Sequence, residues 1–365
     1  MSDDLRTRLE QAPLPDAEDA ERRAWAVMRS AAPAARPSRW RRRAPVAVLV
    51  AVVGVTVAVT PPGAAVGEWV RERVDPPQRD VQPAATPANR LPAAGRLLVR
   101  DAGGIAVVGH DGSRTRLGRY DGATWSPRGR FIAAWRGTRL TALTPQGEVR
   151  WQIDAPARIR AARWSPANGY RVAYLTDGSR LRVVAGDGTG DRPLAAAGPA
   201  IPAWRPGSDQ ALAFVSPGGR LQLRDVDTGA LLERGHGDVP AGTRALSWSA
   251  GGRLIAAAGS REIRVFDLRR GRSRRIGSRP RERFTAAAFS PAGPTLARIS
   301  RAGGRSTVRA GRELFATRGR IPRAAWSPDG RWLMLETPEQ LVAVRVVGAP
   351  RVLSFPGGRL EGWSR

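Results

Sequence analysis

An aromatic residue followed by serine, or by a residue in serine's place, recurs seven times along this chain. The aromatics are Trp125, Trp164, Trp204, Trp248, Phe289, Trp326 and Trp363, spaced by 39, 40, 44, 41, 37 and 37 residues. Around them the phrase is Trp125-Ser126-Pro127, Trp164-Ser165-Pro166, Phe289-Ser290-Pro291 and Trp326-Ser327-Pro328. Trp204-Arg205-Pro206 and Trp248-Ser249-Ala250 are its two broken copies, and Trp363-Ser364 stands at the end. A period near forty means one small unit made many times. Each unit can bury its apolar face only against its neighbours, so the chain is bound to a stacked or ring-like architecture.

Within a unit the apolar residues come in short runs or alternate with polar ones, as in Arg171 to Leu175, Leu181 to Val184, Leu254 to Ala258 and Glu262 to Phe266. That is the period of a strand. Turn signals part these runs: Asp177-Gly178, Asp187-Gly188, Asp227-Thr228-Gly229 and Asp329-Gly330. Four short strands in forty residues form the blade of a β-propeller. Leu97 to Val99, Ile105 to Val108 and Thr115 to Leu117 supply three strands before the first Trp-Ser-Pro, and Trp363 begins a strand with no blade behind it. Joining the two ends closes a ring of seven blades, because an open ring would leave two sheet edges bare. One aromatic per blade at fixed phase reads as blade-to-blade packing.

The Trp-Ser-Pro-x-Gly units resemble the TolB-like and WD40-like propeller repeats over roughly residues 97–365. The resemblance implies a binding protein. Gly-His occurs only at Gly109-His110 and Gly235-His236, and no Trp is followed by Asp, so the hydrogen-bonded tetrad of true WD repeats is not carried over.

Ahead of the repeat, residues 44–67 hold no charged residue, and the core from Ala44 to Thr60 is strongly apolar. A single membrane-spanning helix is expected there. Arg41, Arg42 and Arg43, with Arg36 and Arg39, precede it and Trp40 supplies an interfacial anchor, whereas Glu68, Arg71, Glu72, Arg73 and Asp75 mix signs beyond it. The positive-inside rule then puts residues 1–43 in the cytoplasm and the repeat outside. The rivals are a cleaved signal peptide, which some 40 preceding residues argue against, and twin-arginine export through Arg42-Arg43. A Pro-rich linker, extended and mobile, should fill residues 68–96.

The N-terminal segment is charge-polarised: residues 1–21 carry seven acids, and residues 22–43 eight arginines. Asp16 can cap a short amphipathic helix to about Ala31 that docks on a cytoplasmic protein; the alternative is a partly disordered tail whose Arg-rich half lies along anionic lipid headgroups. The layout resembles single-pass anti-sigma regulators, without the His and Cys of their zinc-binding versions.

Composition excludes several chemistries. The 365 residues contain no Cys and two His, so thiol catalysis, disulfides and zinc ribbons are out. All 60 basic residues are Arg, against 32 acids, for a net charge of +28. Arginine throughout, with abundant Ala, Gly and Pro, resembles the proteins of GC-rich bacteria. The arginines are scattered, which argues against nucleic acid as a partner. The densest run, Arg269 to Arg283, reads as a solvated loop. No Gly-x-Ser-x-Gly elbow occurs, and His110 and His236 sit among turn residues. The expectation is an all-β, seven-bladed propeller that binds a protein, peptide or envelope ligand without catalysis, cofactor or metal. A transmembrane sensor and an envelope enzyme working in the propeller channel are the alternatives.

Overall fold

The computed structural model describes residues 85–364. The N-terminal segment 1–43, with Trp40, Arg41, Arg42 and Arg43, and the apolar segment 44–67 lie outside the described residues, as does most of the linker. Among the described residues no helix is long and apolar enough to cross a membrane.

The described chain is all-β: 29 strands, β1 to β29 in chain order, in seven sheets arranged as a propeller. Blades two to seven open on β5 (Gly122–Trp125), β9 (Ile159–Trp164), β13 (Ala203–Trp204), β17 (Leu246–Trp248), β21 (Arg283–Phe289) and β25 (Ala324–Trp326). Each is followed by the next three strands of the chain, hydrogen-bonded in sequence order. The first strands of all but one pair of neighbouring blades share close contacts, which puts them around the axis and the fourth strands at the rim.

Blade one is built from both ends. It joins β2 (Arg96–Asp101), β3 (Gly104–Val108) and β4 (Arg114–Gly118) to β29 (Arg359–Ser364) in the order β29-β2-β3-β4. β29 and β2 run antiparallel with Leu97 opposite Trp363 and Arg96 opposite Ser364. Gly95, at φ +115°, makes this possible: a Cβ there would collide with the Ser364 carbonyl oxygen. Three strands from the start and one from the end is the closure expected from the phase of the repeat.

The repeated serine has a structural task. In Ser126, Ser165, Ser249 and Ser327 the hydroxyl accepts from the amides of Phe131, Arg171, Leu254 and Trp332, at 2.9, 3.1, 3.0 and 2.9 Å. The serine amide donates back to the same residue's carbonyl in each case. The loop between first and second strands is thus tied at both ends, and these serines are buried. In blade four, where Arg205 replaces the serine, the Ser208 hydroxyl accepts from the Ala211 amide at 2.9 Å and takes over.

Three sequence expectations need correction. The end of the Pro-rich linker is part of the propeller: β1 (Thr86–Pro87) pairs in parallel with β28 (Val352–Phe355) as a fifth strand of blade seven. Leu91 and Ala93 are buried with Leu97, Trp332 and Leu353, and burying these apolar side chains holds the segment down. The Arg269–Arg283 run is not all loop: its middle is β20 (Arg272–Gly277), the outer strand of blade five. Its arginines are exposed, because a rim strand shows most of its side chains to water. His236 lies within β16 (Leu231–Asp238) rather than in a loop.

Candidate functional site

The aromatic ring comes first, because it positions everything else. Trp125, Trp164, Trp204, Trp248, Phe289 and Trp326 are buried, and Trp363 is half-buried against the cluster of Leu97 and Trp332. Three indoles reach back one blade to the carbonyl just before the preceding aromatic: Trp204 donates to Arg163 O at 2.9 Å, Trp248 to Ala203 O at 3.0 Å and Trp326 to Ala288 O at 3.1 Å. Phe289 has no N–H to give, and its amide donates instead to the Ser247 hydroxyl at 2.9 Å. The indole nitrogens of Trp125, Trp164 and Trp363 are buried without a bonded acceptor.

The closing strand brings charges together near the axis. Glu361, with its side chain 5% exposed, pairs with Arg323 of blade seven at 2.7 Å and with Arg100 of β2 at 3.2 Å. Glu336 accepts from the Leu360 amide at 2.8 Å. Arg163, one residue before Trp164, lies within electrostatic reach of Glu361 and Arg323; burial pushes its guanidinium down while the carboxylate draws it up. Both carboxylates thus bond groups of β29 or its neighbours and help hold the closing strand in place. His110 is an exposed turn residue with Nδ1 at 3.1 Å from the Ala93 carbonyl oxygen. Among the described residues no group of His, Asp and Glu could hold a metal ion.

The feature best shaped for recognition is a cleft of about 590 Å³ between blades two and three. The Ser126–Phe131 loop forms one wall, and the other is Asn168 to Arg171 with the Ala185–Asp187 turn. Trp151, from β8 (Val149–Asp154) at the rim of blade two, crosses the gap and donates its indole N–H to Gly186 O at 2.8 Å. Gly188, at φ +90°, lets the main chain lie against that ring, since a Cβ there would stand 2.8 Å from it. Trp151 is therefore held from two sides.

Asp209 fixes the opposite wall. Its carboxylate accepts from the Asn168 amide and side chain, each at 3.1 Å, and from the Gly169 amide at 3.3 Å. The mouth is cationic: Arg128, Arg130, Arg150 and Arg171 stand against one carboxylate, Asp187. Arg171 is engaged by Asp227 at 3.1 Å, and Asp187 by Thr189, whose amide and hydroxyl hold it below the usual carboxylate range. Arg128, Arg130 and Arg150 have no acidic partner among the described residues. Tyr170 stands at the entrance, 61% exposed.

The sequence marks Asp187-Gly188 as a turn but does not join it to Trp151, Tyr170 or the three arginines. Those residues come from three separate stretches of two blades. The chain matches no family model, and no curated protein matches it in sequence.

Proposed function

We propose that this chain is a single-pass, membrane-anchored protein of a GC-rich bacterium, with a TolB-like or WD40-like propeller outside the cytoplasm. It works as a non-catalytic binding module for a protein or envelope ligand. The cleft between blades two and three carries the reading: a preformed, aromatic-walled concavity with unpaired cations at its mouth is how a binding site is built. The anchor and orientation rest on the apolar segment 44–67 and the arginines before it. The acids that an enzyme reading would use, Glu336 and Glu361, are tied to β29. A second reading makes the propeller the sensor of a transmembrane regulator. It is favoured by the charge-polarised segment 1–43, which gives the cytoplasmic side a docking element of its own.

The test is a photo-crosslinking side chain placed at Tyr170 of the full-length protein in cells, with the same group at exposed Arg312 of blade six as control. A discrete adduct at position 170 alone supports the cleft as the binding surface; no adduct there, or equal labelling at both positions, rejects it. A reporter active only in the cytoplasm, fused after Arg365, should stay silent, and a strong signal would overturn the orientation.

A further inference from the structure

Resting on the reading that a partner binds in the cleft between blades two and three, we propose that the occupant is an extended acidic segment of another protein. It lies along β8 as a fifth strand of blade two.

Main chain, charge and the open surface all favour such a segment. β8 is the outer strand of its sheet, so its alternate N–H and C=O groups face away from the sheet with nothing to bond, and only another polypeptide complements both. This propeller accepts such additions: β1 lies on the outer edge of blade seven, Thr86 opposite Leu353 and Pro87 opposite Ser354, with Ala88 N donating to Ser354 O at 2.9 Å. Four large hydrophobic side chains are left exposed among the described residues, and two border this place: Val149, 54% exposed at the start of β8, and Tyr170. An incoming strand would cover both. Its carboxylates would meet Arg128, Arg130 and Arg150, which no acid among the described residues neutralises.

Other polyanions fit less well. A neutral glycan needs acceptors as well as donors, and the mouth offers mostly guanidinium donors, its one carboxylate already bonded to Thr189. Single-stranded nucleic acid needs successive open aromatic faces. Here Trp164 is buried, Phe131 and Trp151 are half-buried with Gly188 packed on the Trp151 ring, and Tyr170 is the one exposed aromatic of the cleft.

The experiment is selection of a random twelve-residue peptide library on the full-length protein in detergent, counter-selected on the Arg128→Ala, Arg130→Ala, Arg150→Ala triple variant. The variant's melting temperature, measured alongside, guards against misfolding. Acidic peptides with an apolar anchor should be enriched. The triple variant should bind them about tenfold or more weaker, as loss of three exposed ion pairs implies, and Tyr170→Ala should weaken them as well. Their binding should slow amide exchange in residues 149–154, the signature of strand addition. Enrichment without acid preference, or binding that leaves exchange in β8 unchanged, overturns the inference while leaving the cleft a binding site. A dT12 oligonucleotide or an oligouronate that binds and is lost in the triple variant, with no peptide enriched, replaces the occupant by another polyanion. If no probe responds to the cleft substitutions, both the inference and the binding-site reading fall.

Discussion

Asp209 is nearly buried and still ionised in preference to neutral. Burial works against its charge, but hydrogen bonds from Ser165, Asn168 and Gly169 outweigh it and hold the carboxyl below the usual range. A carboxyl depressed in the folded state contributes stability above its unfolded pKa, about 3.9, and loses it as pH falls through the folded value. Asp209→Asn should therefore cost about 1–3 kcal/mol near neutral pH and flatten the acid limb of stability. Urea melts at pH 7 and pH 3 would show the gap between variant and parent closing at the lower pH. The ring aromatics allow a second test. Trp326→Phe removes one indole hydrogen bond and should cost about 0.5–1.5 kcal/mol; Phe289 already fills the equivalent slot without one. Trp326→Ala empties the slot and should cost about 3–5 kcal/mol. If the two substitutions cost the same in denaturant, the hydrogen bond rather than the packing joins the blades.

Single elements behave according to what covers them. The second strands, covered on both faces, read as apolar runs, as in β6 (Ile132–Arg136) and β14 (Ala211–Val215), whereas the rim strands alternate or are polar, as in β8 and β20. That contrast explains why the Arg269–Arg283 run suggested a loop: a strand with little to bury carries no apolar alternation to read. β1 is the opposite case, two residues with Pro in them, too short to register as a strand. It is held because Leu91, a few residues on, is inserted into the blade seven to blade one core. Leu91→Ala should lower stability by about 2 kcal/mol or more and speed amide exchange on β28. Unchanged exchange there would detach β1 from the docking of Leu91.

The whole molecule depends on one junction. Six blades are closed by strands adjacent in sequence, and blade one by a strand more than 250 residues from its partner. Glu361 adds pairs to Arg100 and Arg323, so the junction is held by charge as well as by the β2–β29 ladder. Deleting residues 360–365 should strip Trp363 from its slot, leave Arg100 and Arg323 without their carboxylate and bare the inner edge of β2. The loss should reach at least about 2–5 kcal/mol, the cost of removing the buried Leu360 side chain alone. Calorimetry would decide it. A truncated protein that melts at the parent's temperature would mean that the ring does not need its closing strand.

The blade count, the phase of the repeat and the joining of the two ends were legible in the sequence. Each follows from local chemistry: aromatic spacing, strand-length apolar runs and Asp-Gly turns. The meaning of the repeated serine was only half legible, because its hydroxyl bonds five or six residues on, across a loop whose closure the tertiary structure makes visible. The cleft was not legible at all. Arg128, Trp151 and Tyr170 carry no shared motif and become neighbours only when blade two packs on blade three, with Gly188 giving way to the Trp151 ring and Asp209 drawing in the facing loop. Repetition fixes which strands form because it acts within a unit, whereas a site between units depends on how two of them meet. That is decided by packing over the whole ring.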